Sequence, residues 1–195
     1  MNLVYIVAIL VELGVIFFFV KRGRKLKKEY VQKGETANES TYEHLRGLAI
    51  RVTCQQLELA IPQSTTMVYG VIMDWNLNES VMTLATYITG AANLYLSTGE
   101  GVNGGGKDPE VGEAAVDFVM AAQQYIARAM PVSATDLPSK GCIRFYLLTN
   151  KGLYAAQEPM THFEDASSPW LSLFELGSGV IAGIRKKKND ASVVH

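Results

Sequence analysis

Residues 142–157 read CIRFYLLTNKGLYAAQ, and this stretch decides the fold. Two runs of β-forming residues, Cys142 to Leu148 and Leu153 to Gln157, flank Asn150-Lys151-Gly152, where the chain reverses as a hairpin. In the first run Ile143, Phe145 and Leu147 alternate with Cys142, Tyr146 and Leu148, and both sets are apolar. A strand greasy on both faces has something packed on each.

Upstream, strand signals run from Val68 to Trp75, Val81 to Thr89 and Asn93 to Thr98. The polar group Asp74, Asn76 and Asn78 marks the first turn and Gly90 the second. Three helices surround these strands. Ser40-Thr-Tyr-Glu43 is a capping-box pattern, and Leu45, Leu48, Val52 and Leu59 follow at helical spacing, so a helix is predicted from about Thr41 to Ala60, stopped by Pro62. A second opens on Asp108-Pro109 with the stripe Val111, Ala115, Phe118, Val119, Ala122, Tyr125 and Ile126. A third starts at Ser168-Pro169, carries Trp170, Leu173, Phe174, Gly177, Ile181 and Ile184 on one face, and ends in Arg185 to Lys188, where cations suit a helix C-terminus.

The order α-β-β-β-α-β-β-α predicts an α+β domain over residues 41–188. Its expected architecture is a helix–sheet–helix sandwich around a mainly antiparallel five-stranded sheet, with a disordered tail over 189–195. Over residues 41–186 this order resembles the profilin-like arrangement of roadblock and longin domains. The resemblance is one of element order, and the three-then-two division of strands departs from the roadblock pattern. It implies a binding or dimerising platform rather than an enzyme.

The first 20 residues contrast with this domain. Leu3 to Val20 read LVYIVAILVELGVIFFFV, and as a helix Met1 to Val20 spans about 30 Å, the thickness of the bilayer hydrocarbon. Lys21, Arg22, Arg24, Lys25, Lys27 and Lys28 follow directly, which predicts a single-pass anchor in the inner membrane, the amino terminus outside and the domain cytoplasmic. These six residues are assigned to lipid head groups, and residues 21–40 to a juxtamembrane linker. Glu12 costs about 3 kcal/mol to insert, against about −6 kcal/mol from the Leu, Ile, Val and Phe around it. An acid retained there points to a contact with another membrane helix, and Gly14 permits close approach.

Chemistry is sparse elsewhere. A formal net charge of −1 over 195 residues supplies no global field for nucleic acid, and no aromatic strip interleaves with the basic run. Cys54 and Cys142, far apart and without ligand spacing, read as reduced core residues. His162, near Glu164, Asp165, Ser167 and Ser168, has a spacing that occurs freely in loops. The most conspicuous motif is Gly99-Glu100-Gly101-Val-Asn-Gly104-Gly105-Gly106-Lys107, which contains GxGxxG and nearly completes a phosphate loop. Gly99, Gly101, Gly104, Gly106 and Lys107 are therefore candidate binding residues. Asp108, Glu110 and Glu100 weigh against an anion, the final Ser or Thr is missing, and antiparallel neighbours are the wrong setting for either nucleotide motif.

No catalytic residue, metal or cofactor is expected. The leading expectation is a membrane-tethered interaction or scaffold module, oligomeric through its membrane helix. Its partners would be membrane lipid and a protein or second copy. The alternative is a membrane-bound sensor or enzyme that holds a nucleotide or other anion in the Gly99–Lys107 loop.

Overall fold

The strand at the centre of the sheet is β1 (Val68–Asn76), flanked by β2 (Val81–Tyr87) on one side and β6 (Cys142–Thr149) on the other. This is a computed structural model, and it describes residues 35–99, 101–102 and 105–193, with side chains from Thr41 to Lys188. The remaining strands are β3 (Ala92–Leu96), β4 (Gly101–Val102), β5 (Met130–Val132) and β7 (Gly152–Pro159). Their order across the sheet is β4-β3-β2-β1-β6-β7-β5, and every neighbouring pair is antiparallel. The sheet thus has seven strands, not the expected five. The two additions are edge strands of two and three residues, one with a glycine and the other with a proline, too short to leave an alternation pattern.

Among the described residues, four α-helices accompany the sheet: α1 (Glu35–Ile50), α2 (Pro109–Ala122), α3 (Met160–Glu164) and α4 (Leu171–Val193). Residues from Thr41 onward form one unit of the fold. On one face of the sheet, Tyr42, Ala49 and Ile50 of α1 pack on Tyr69, Ile72, Ala85, Tyr87, Tyr146 and Leu148. On the other face α2 and α4 cover Val71, Met73, Leu84 and Phe145, all buried. The approach is close enough that a Cβ on Gly177 would sit 3.0 Å from Met73 Sδ and Phe118 Cζ. Trp170 stacks on Phe145 with ring centroids 5.3 Å apart, and Phe174 meets Trp75 edge-on at 5.4 Å.

Helix α1 ends ten residues earlier than the sequence suggests, and the cause is local. Thr53 and Gln56 exchange side-chain and backbone hydrogen bonds, starting a separate turn, and Glu58 adopts a φ of 56°. Two sheet tyrosines then take carbonyls at the end of α1: Tyr87 Oη donates to Ala49 O at 2.8 Å and Tyr69 Oη to Val52 O at 2.9 Å. Leu48, expected in the buried stripe, is exposed, while Tyr42 and Arg46 are buried. At the other end of the chain α4 runs on past Lys188 to Val193.

The single-pass anchor does not stand on this structure. Among the described residues no helix is long and apolar enough to cross a membrane. Residues 1–20, with Glu12 and Gly14, and the basic residues Lys21, Arg22, Arg24, Lys25, Lys27 and Lys28 lie outside the described residues. The inner-membrane localisation and the cytoplasmic assignment that followed from them carry no structural support.

Candidate functional site

Asp74 is not a turn residue. Strand β1 continues through it to Asn76, and the reversal falls at Leu77–Ser80, where Asn78 takes a φ of 69°. Asp74 lies fully buried, at 0% exposure, on the face that meets α1. A bare carboxylate there would be very costly, and three side chains prevent it. Arg46 donates to Oδ2 from Nε at 3.0 Å and from Nη2 at 2.6 Å. Thr83 donates to Oδ1 at 2.5 Å, and the Tyr42 hydroxyl, 2.8 Å from Thr83 Oγ1, donates in turn to Thr83. Burial works against the Arg46 charge, but the Asp74 hydrogen bonds and charge outweigh it and leave the guanidinium pKa raised. Burial, reinforced by the Asp74 charge, pushes the Tyr42 phenol far up, so it stays neutral. The network holds a closed ion pair whose neighbouring hydroxyls are committed to it. Its chemistry is positional: it pins α1 to the sheet.

The same network shapes a neighbouring notch. After Val132 the chain leaves the sheet edge and crosses the α1 face. There Thr135 O accepts from Arg46 Nη1 at 2.8 Å, Asp136 O accepts from Tyr146 Oη, and Pro138 O accepts from Asn76 Nδ2 at 2.9 Å. Between this crossing segment and strands β6 and β7 an open pocket of about 410 Å³ remains, lined by Val132, Ala134, Arg144, Tyr146, Ala155 and Gln157 among others. The small side chain of Ala155, on the same face as its cross-strand partner Tyr146, leaves the space.

Arg144 is the charged residue that this arrangement leaves unneutralised. In the β1–β6 register it stands directly opposite Asp74, yet Asp74 takes its cation from Arg46 instead. Arg144 Nη1 donates to Asp136 O at 3.0 Å and to Tyr146 Oη at 3.3 Å. Among the described residues no carboxylate lies within ion-pair distance of it, and its Nε and Nη2 have no hydrogen-bond partner. The Tyr146 ring lies 5.6 Å from the Arg46 guanidinium and 5.9 Å from that of Arg144. Two large apolar side chains stand exposed on the strand and segment that border the pocket, Met130 at 70% and Leu137 at 42%.

The glycine-rich motif sits at the opposite edge of the sheet. Gly101 belongs to β4, which pairs with Leu94 and Tyr95, and Gly105–Lys107 form one 3-10 turn packed on the start of β3. A Cβ on Gly106 would lie 2.0 Å from Gly90 O, so close backbone packing is what this glycine serves. Gly99 has a φ of 92°, Lys107 is exposed, and Gly104 lies outside the described residues. Beyond the turn, Asp108 Oδ1 accepts the backbone N–H groups of Glu110 and Val111, while Oδ2 meets Lys187 Nζ at 3.0 Å. Hydrogen bonding to Lys187 holds the Asp108 carboxyl below the usual range. The first N–H groups of α2, those of Glu110 and Val111, are thus taken by Asp108.

His162 on α3 places Nδ1 2.7 Å from Glu158 Oε2 near the end of β7, and the Ser168 hydroxyl accepts from Trp170 N, capping the entry to α4. Cys54 and Cys142 are free and half-buried, and burial raises the Cys54 thiol pKa. Among the described residues no group of His, Cys, Asp and Glu gathers at metal-binding distance. Sequence reasoning missed Arg144, Tyr146 and Asp74, although a charge inside an otherwise greasy strand was the available signal. No family model matches this chain, no curated protein matches its sequence, and no solved structure matches its fold.

Proposed function

We propose that the domain is an interaction module that engages a protein partner at the notch beside β5. The observation that carries this reading is the pairing of an open pocket of about 410 Å³ with exposed Met130 and Leu137 beside it. Large apolar side chains exposed around a concave site are the usual anchors of a contact surface. The sheet edges favour the notch over strand addition. Strand β4 has two residues, and β5 has three with a proline at its centre, so neither offers a free ladder of useful length.

The test is affinity co-purification of the tagged full chain from its native cells, comparing wild type with Met130→Glu, Leu137→Glu and a control, Glu175→Lys, at an exposed site on α4. The expected result is one discrete partner, retained by the control and lost from both notch variants while their circular dichroism is unchanged. A partner retained equally by all four chains would overturn the reading.

A further inference from the structure

We infer that the partner group seated in the notch is the carboxylate of an acidic side chain flanked by apolar residues. This rests on the notch being the contact surface and adds the chemistry of what it recognises. The geometry supplies one available cation. Arg144 lines the pocket with Nε and Nη2 unused among the described residues, and Asp74, its cross-strand neighbour, is already neutralised by Arg46. A guanidinium fork with two free donors matches a planar oxyanion of one charge, accepting two parallel hydrogen bonds.

The remaining lining selects against a more highly charged group. The Tyr146 hydroxyl is committed to Asp136 O, and the Gln157 amide oxygen accepts from Ser139 N at 3.2 Å. Asp136 also lines the pocket, and its backbone O already accepts from Arg144 and Tyr146. A single cation in the lining suits a carboxylate better than a dianionic phosphate, which calls for a cluster of cations or a nest of backbone N–H groups. Met130 and Leu137, exposed on the strand and the segment that border the pocket, offer apolar surface to residues flanking the acid.

The experiment is an NMR titration of the full chain, reading the Arg144 Nε–Hε side-chain resonance. The probes are N-acetyl-Leu-Glu-Leu-amide, its Gln counterpart, sodium acetate and inorganic phosphate, each against sodium chloride at matched ionic strength. The expected result is a saturable shift with the Glu peptide, binding about tenfold weaker for the Gln peptide, and a smaller gain with acetate, which lacks the apolar flanks. Arg144→Lys keeps the charge without the fork and removes the side-chain reporter, so it is followed by the backbone amide shifts of Ala155 and Gln157, which also line the pocket; it is expected to weaken the Glu peptide while leaving the Gln peptide unchanged. Equal binding of the Glu and Gln peptides would overturn the proposal, as would tighter binding of phosphate or shifts that sodium chloride reproduces. No saturable shift with any probe would overturn it too. A partner lost on Met130→Glu in cells, together with no carboxylate binding, would leave the contact surface standing and remove only its acidic specificity.

Discussion

Replacing Arg46 with Met tests the part of the structure on which the notch depends. The side chain is 9% exposed, and Met keeps most of its aliphatic volume while removing the charge. Asp74 Oδ2 then loses both of its donors, at 2.6 and 3.0 Å, and only Thr83 remains on Oδ1. Two charge-assisted hydrogen bonds at about 1.5–3 kcal/mol each give about 3–6 kcal/mol. Removing one member of a buried pair costs about 3–5 kcal/mol by the independent measure of an uncompensated buried charge. The two figures agree, and either is a large share of a domain's stability. The assay is urea unfolding of the full chain, wild type against Arg46→Met, Asp74→Leu and the double variant, with free energies from linear extrapolation. Each single variant should lose about 3–5 kcal/mol, and the double should recover most of that because neither charge is left alone. A single-variant loss below about 1 kcal/mol, or a double variant as unstable as the singles, would refute the reasoning.

Because Arg46 Nη1 also holds Thr135 O, hydrogen exchange of residues 133–138 should quicken in Arg46→Met more than the stability loss alone predicts, which mass spectrometry of peptic fragments would read. Leu147→Asp puts an unpaired charge at a fully buried site in β6 and should cost about 4 kcal/mol or more, measured by the same urea series. Gly106→Ala drives a methyl against Gly90 O and should destabilise by about 1–3 kcal/mol or more, seen as a lowered Tm. Base should unfold the chain: burial pushes the Tyr69 phenol up to about 12 and raises Tyr42 and Tyr87 as well. The unfolded phenols release protons near 10, so above that pH the folded state binds more protons and stability falls between about 10 and 12. Circular dichroism against pH checks the direction.

Legibility in the sequence followed how local each signal is. Asp108-Pro109 and the stripe from Val111 place α2 within a residue of its observed start, since cap and first turn are neighbours in the chain. The hairpin of β6 and β7 is equally local, its reversal set by Asn150-Lys151-Gly152. The edge strands were invisible because two or three residues carry no period. Leu48 was misplaced in α1 because size and greasiness suggested burial, whereas Tyr42 and Arg46 occupy the buried positions to satisfy Asp74. Asp74 looked like a turn residue for the same reason: its partner Arg46 lies 28 positions earlier, and nothing nearby reveals the pairing. The notch was the least legible feature. Arg144 stands in the stretch that reveals the fold, but its isolation depends on Arg46 taking Asp74 and on residues 133–138 crossing the sheet. Both are tertiary events.

The notch as a contact surface is tested most directly by site-specific photo-crosslinking in native cells. A benzoyl-phenylalanine is placed in turn at Met130, at Leu137 and, as controls on other exposed surfaces, at Lys151 and Glu175. Short-range crosslinkers report what lies against each position before any purification. One adduct of the same mass is expected from positions 130 and 137 and none from 151 or 175, with the adduct reduced when Arg144→Lys is combined with either notch position. Adducts at the controls with none at 130 and 137 would contradict it, and would place the partner on another face of the domain.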